Sequence, residues 1–163
     1  MEYIIRKSIW SDVVKLQEIF EEGDRFHYEL EPTKFNLPQR GARKEDFFKD
    51  FFNNDNNTIL VAELKSNFEI VGFVTGEIYQ NKSNQFVKDE KFGFIGFMVV
   101  NSNYRRQGIA TSLLPKIQEW FIENNIEQIR LSVFAKNIAA YKLYEKLGYK
   151  TNMYKMVKSL KDF

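Results

Sequence analysis

The chain predicts an α/β domain, a mixed sheet with helices on both faces, and three observations carry that expectation. Runs with strand periodicity alternate with runs of helical periodicity along all 163 residues. The segment FGFIGFMVV (92–100) is apolar on both faces, as a strand in the middle of a covered sheet is. Repeats, low-complexity tracts and Pro/Gly linkers are absent, so the elements belong to a single domain over 1–163. The predicted order is β-α-α-β-β-β-α-β-α-β.

YIIRKS (3–8) is the first strand. Ser11 and Asp12 open a helix whose apolar face carries Val13, Leu16 and Phe20. A polar stretch with Pro32 and Pro38 follows, and KEDFFKDFFNN (44–54) then sets Phe47, Phe48, Phe51 and Phe52 at helical spacing, a core stripe rather than a cofactor box. After the turn-rich break at 53–57, TILVAEL (58–64) and IVGFVTGEI (70–78) form a hairpin. The central strand at 92–100 leads to a helix with Leu113, Leu114, Ile117, Trp120 and Phe121 on one face, in which Pro115 removes one hydrogen bond and predicts a local kink. IRLSVF (129–134) is a strand, AAYKLYEKL (139–147) a short helix capped by Gly148, and KMVKSL (155–160) the last strand.

Composition removes several classes of function. The chain has no cysteine and one histidine, His27, which leaves no thiolate or His-rich metal site and no disulfide framework. The opening MEYIIRKS lacks the pattern of a signal peptide, and the longest nearly apolar run, Phe92 to Val100, is too short to span a bilayer. A cytoplasmic protein with no membrane span is expected. The net charge of +2 argues against a dedicated nucleic-acid binder, and the aromatic strand at 91–100 does not have the spacing of an RNA-recognition sheet. The charge is uneven: residues 1–104 hold 13 Lys and Arg against 17 Asp and Glu, whereas residues 105–163 hold 11 against 5. An anionic ligand on the C-terminal half and a cationic one nearer the N-terminal half would suit that division.

The basic part begins at a strand-to-helix junction, NSNYRRQGIATSLL (101–114). A helix start exposes unpaired N–H groups at the positive end of the helix dipole. Gly108 and Ala110, with little or no side chain, let an anion approach the backbone of Gln107, Gly108, Ile109, Ala110 and Thr111, and Arg105 and Arg106 add charge. The segment is not a P-loop, for it lacks the GK[ST] ending, nor a dinucleotide fingerprint, for it lacks the three-glycine spacing.

These residues resemble the acyl-CoA pyrophosphate-binding segment of the GNAT superfamily of N-acetyltransferases, with Arg105, Gly108 and Ala110 at the motif positions. NIAAYKLYEKLGY (137–149) is similar to the Asn-plus-seven-Tyr segment of the same family, and the element order agrees. The resemblance implies a GNAT-like fold and transfer of an acetyl group from acetyl-CoA, as cosubstrate and with no metal, to a primary amine by direct attack. It implies that the backbone of Met98, Val99 and Val100 binds the pantetheine and the thioester carbonyl, and that Arg105 to Thr111 hold the pyrophosphate. Asn137 would bind the pantetheine amide. Tyr144 would protonate the departing thiolate, a phenol near pKa 10 suiting a thiol of roughly 8.5.

The general base is not carried by the resemblance: Ser132 stands where some family members have a glutamate, and the central strand has no carboxylate there. Glu77, on the strand before the central one, and His27 or Glu29, in the loop expected after the first helix, are the candidates. Glu21, Glu22, Asp24, Glu29 and Glu31 make that region acidic, as a cationic acceptor would require. The expected partner is an amine, a small molecule or a peptide; a homodimer is compatible with the pattern. The alternative reading is a non-catalytic acyl-CoA-binding module.

Overall fold

The computed structural model describes residues 1–86 and 88–160, and the chain divides into two units at Ser132 and Val133. Val87 and the last three residues of the expected domain, 161–163, lie outside the described residues.

The first unit is a five-stranded sheet in the order β1 (Tyr3–Lys7), β2 (Asn57–Leu64), β3 (Ile70–Asn81), β4 (Glu90–Val100), β5 (Ile129–Leu131). Neighbours are antiparallel except β4 and β5, which are parallel, so the sheet is mixed as predicted. Helices α1 (Val13–Leu30) and α2 (Glu45–Asn53) cover one face and α3 (Ile109–Glu123) the other.

The α1–α2 side is aromatic. Phe20, 1% exposed, has ring centroids of Phe73, Phe97, Phe47 and Phe48 at 4.2, 5.1, 5.4 and 5.8 Å. The phenylalanine doublets are therefore core, as their spacing implies, and each such ring pair contributes about 1 kcal/mol beyond its buried area. On the opposite face glycines make room for bulk: a Cβ on Gly76 would stand 2.7 Å from Ile117, and one on Gly93 2.5 Å from Phe121. Helix α3 runs unbroken through Pro115, so the expected kink does not interrupt it.

Two boundaries differ from expectation. Helix α1 continues to Leu30, so His27 and Glu29 lie on the helix and not in a loop after it. It persists because Gly23 packs against β4, where its Cβ would meet Val99 at 2.8 Å, and because Glu21 pairs with Arg25 one turn on. It ends at Glu31 (φ −142°), the residue before Pro32, which proline keeps out of the helical region. Strand β5 stops at Leu131, short of 134.

The second unit holds α4 (Ile138–Lys146), after which Gly148 takes φ +88°. No strand forms at 155–160. Met153, Tyr154, Met156, Val157 and Leu160 are exposed there, and alternation without a ladder partner does not hold a strand.

Candidate functional site

The central strand is interrupted by a bulge. Val74 pairs with Met98 but Gly76 with Ile95, so β4 carries one extra residue opposite Thr75. The Thr75 hydroxyl accepts the N–H of Phe97 at 2.9 Å and gives the displaced backbone a partner. On the other edge, β4 pairs with β5 only over Gly93, Phe94 and Ile95. Beyond Ile95 no further ladder pairs form on that edge among the described residues.

Which backbone groups face that edge follows from the antiparallel alternation. Asn101 N–H donates to Val71 O at 2.9 Å, so Val99 exchanges hydrogen bonds with Phe73, its partner two residues back. Met98 and Val100 consequently turn their N–H and C=O groups away from β3. The Val100 carbonyl accepts from Arg105 Nε at 3.0 Å. Met98 and Val100 thus present the polar backbone expected of them, whereas Val99 belongs to the ladder and packs its side chain toward Gly23.

A 3₁₀ turn at Ser102–Tyr104 leads into the basic junction. Arg106 has φ +63° and Gly108 φ +84°, the left-handed region in which a β-carbon is disfavoured. Gly108 is the N-cap of α3, and no side chain caps the helix there. The first N–H groups of α3, on Ile109, Ala110 and Thr111, therefore lack intrahelical acceptors. Apart from its two chain neighbours, no atom of the described residues lies within 4 Å of where a Cβ on Gly108 would stand. Ile109, 1% exposed, anchors the helix start in the core.

The arginines divide their work. Arg105 is bound to Val100 O and, through Nη2, to Glu22 Oε1 of α1 at 2.9 Å, with its guanidinium 5.8 Å from the Phe26 ring centroid. Among the described residues no carboxylate pairs with Arg106. Gln107 reaches back to Asn103 O at 3.4 Å.

Of the three base candidates, Glu77 is the one beside the bulge. Its Oε1 lies 2.6 Å from the position a Cβ on Gly96 would take, and its Oε2 accepts the Tyr79 hydroxyl at 2.7 Å. That bond raises the Tyr79 pKa. His27 stacks on Phe35 at 5.6 Å, and burial lowers its pKa, with Asp24 opposing and Arg43 adding to the shift. Glu29 is exposed on α1. The acidic segment is largely neutralised within the fold: Glu21 pairs with Arg25, Glu22 with Arg105 and Asp24 with Arg43.

In the second unit, Asn137 caps α4, its side-chain oxygen accepting the Ala140 N–H at 3.2 Å. The Tyr144 phenol is pushed up to about 12, first by burial and then by Tyr149, whose ring lies 5.7 Å away. Thr75, Tyr79 and Glu22 are the contributors that sequence reasoning did not single out for these contacts. Thr75 and Glu22 act through partners on other elements, which no local pattern signals, whereas Tyr79 acts on Glu77 of its own strand, two residues away.

Among the described residues no helix is long and apolar enough to cross a membrane, and no group of three or more His, Cys, Asp or Glu is placed to hold a metal ion. The Acetyltransferase (GNAT) family matches the chain over residues 16–149. N-acetylaspartate synthetase of Xenopus tropicalis is 49% identical over 53 residues, which are 32% of this chain and 20% of that protein. The chain thus spans a small part of that relative's length. Among solved structures, mutated BH1408 from Bacillus halodurans superposes with a TM-score of 0.89 at 18% identity, covering 96% of this chain and 99% of that one. AAC(6')-Iy, in complex with the bisubstrate analog CoA-S-monomethyl-acetylneamine, superposes with a TM-score of 0.71 at 15% identity, covering 98% of each chain. Both share the fold.

Proposed function

Because the chain belongs to the GNAT acetyltransferase family, we propose that it is an N-acetyltransferase that moves an acetyl group from acetyl-CoA to a primary amine. In this reading residues 1–163 act as a single acetyltransferase domain. The observation that carries it is the open edge of β4 at Met98 and Val100, followed within ten residues by the uncapped, left-handed start of α3 at Gly108. The first offers amide-binding and oxyanion-stabilising backbone groups, the second a seat for a diphosphate. The CoA moiety of the analog on AAC(6')-Iy supports the same class of ligand.

Acetyl-CoA supplies an acyl thioester with a thiol as leaving group. The N–H of Met98 and of Val100 donate to the pantetheine and to the carbonyl oxygen. The N–H groups of Ile109 to Thr111, with Arg106, hold the diphosphate, and Gly108 keeps the approach clear. Asn137 binds the pantetheine amide through its side-chain N–H₂, its oxygen being used by the helix cap.

An N–C bond forms as the C–S bond breaks: the nitrogen, passing from ammonium to amide, sheds two protons, and the sulfur takes up one. A lysine-like amine is only about one part in 10³ neutral at pH 7. Glu77, directly or through a water, accepts the first of these and passes it to solvent. Tyr144 is protonated throughout the neutral range and donates to the leaving sulfur. Proton transfer from a phenol at about 12 to a thiolate of roughly 8.5 is uphill by about 5 kcal/mol, so Tyr144 hydrogen-bonds the departing sulfur and passes its proton on only as the phenol is refilled by the second proton shed from the nitrogen.

The test is acetyl-CoA with a panel of amines, read as thiol release. Amine-dependent release is expected. Folded protein that binds acetyl-CoA but releases no thiol with any amine would be a non-catalytic acyl-CoA-binding module. If acetyl-CoA at ~100 times its dissociation constant failed to stabilise the fold by about 2.7 kcal/mol, the coenzyme assignment itself would be wrong.

A further inference from the structure

The loop that joins β4 to α3 is tied to a helix some eighty residues earlier by one oxygen atom. Glu22 Oε1 on α1 accepts two hydrogen bonds, from the Ser102 N–H at 2.6 Å and from Arg105 Nη2 at 2.9 Å. Arg105 in turn donates through Nε to Val100 O at 3.0 Å. Three elements are thereby clamped together: the end of β4, the 3₁₀ turn and α1. The clamp has a firm base, because the next residue, Gly23, lets α1 approach β4 to the point where a Cβ would overlap Val99.

From this geometry we infer that Glu22 is a positioning residue for coenzyme binding: it holds Arg105 and the Ser102 backbone so that the loop from 101 to 108 presents the first amides of α3 in a fixed arrangement. The inference rests on the coenzyme reading above. It also changes the part played by Arg105, which is engaged by Glu22 and Val100 and so shapes the loop, while Arg106 is left to meet the anion. A carboxylate this close to a diphosphate seat would by charge alone weaken anion binding. Its presence is accounted for if the ordering of the loop outweighs that repulsion. With both side chains partly exposed, 24% for Glu22 and 42% for Arg105, the ion pair adds little to global stability, so the effect belongs in affinity and not in melting temperature.

The experiment measures acetyl-CoA dissociation constants for the parent chain, Glu22→Ala, Glu22→Gln, Arg105→Ala and the double variant Glu22→Ala/Arg105→Ala, with amide hydrogen exchange of the unliganded proteins. Expected are about a tenfold weaker affinity for Glu22→Ala, a smaller loss for Glu22→Gln, which keeps an acceptor for Ser102, and a double variant little worse than Arg105→Ala alone. The loss should fall on the KM for acetyl-CoA, and exchange at Ser102 should accelerate in Glu22→Ala without ligand. Unchanged or tighter binding by a folded Glu22→Ala, or strictly multiplicative losses in the double variant, would overturn the inference. A parent chain that bound no acetyl-CoA would overturn the coenzyme reading and this role with it, even if the Ser102 exchange still reported the clamp.

Discussion

Tyr79 donates its hydroxyl to Glu77 Oε2 at 2.7 Å, and the other oxygen of that carboxylate lies against Gly96 in the bulge of β4. One acidic side chain is thus fixed in orientation beside the strand whose open edge starts at Met98. Glu77→Gln keeps the size and removes the basic oxygen. Its expected effect is a fall in turnover of about 10² at pH 7 with the acetyl-CoA dissociation constant nearly unchanged. A variant with parent-like turnover would leave another group as the base.

Gly108 separates strain from obstruction. A β-carbon there meets no described atom beyond its chain neighbours but the residue must hold φ +84°, so Gly108→Ala should cost about 1 kcal/mol in unfolding free energy while still binding acetyl-CoA. Gly108→Glu carries the same strain and adds bulk and negative charge where the diphosphate would rest. Calorimetric titration should detect no acetyl-CoA binding by a Gly108→Glu protein whose melting curve matches that of Gly108→Ala.

For Tyr144 the phenol's raised pKa, about 12, makes a prediction about pH. If this group donates to the leaving sulfur, Tyr144→Phe should lower turnover about 10²-fold with little change in acetyl-CoA affinity. The alkaline limb of the pH–rate profile, if one lies below pH 10, should survive the substitution, because Tyr144 ionises well above it. Equal losses of affinity and turnover would reduce Tyr144 to packing against Tyr149.

His27 should make the fold sensitive to mild acid. Burial holds its folded pKa below the ordinary value of 6.5, so between the two values the unfolded chain binds more protons than the folded one. Stability is therefore full above about 6.5 and falls as pH drops through that window. Unfolding free energies measured by denaturant from pH 7.5 to 5 should decline for the parent and decline less for His27→Gln. Identical slopes would show that His27 does not titrate across folding.

Much of this molecule is local and could be read in order along the chain. Apolar runs joined by a short polar turn mark β2 and β3, the doubly apolar run marks β4, and the spacing from Leu113 to Phe121 marks the buried face of α3, because each signal lies within one element's own residues. The spacing of Arg105, Gly108 and Ala110 is legible for the same reason: the turn, the missing Cβ and the helix start are neighbours in sequence.

What the tertiary structure decided is everything that needs a second segment. The packing of Gly23 on Val99 helps carry α1 past the expected loop, although Pro32 sets its end locally, and no strand forms at 155–160 for want of a ladder partner. The bulge depends on Thr75 facing Phe97, and the open edge of β4 on β5 stopping at Leu131. Glu22 reads in the sequence as one more acidic residue on a solvated helix. Only the packing of α1 on β4 turns it toward Ser102 and Arg105, because a contact between residues eighty apart is set by how faces pack and leaves no period in either segment.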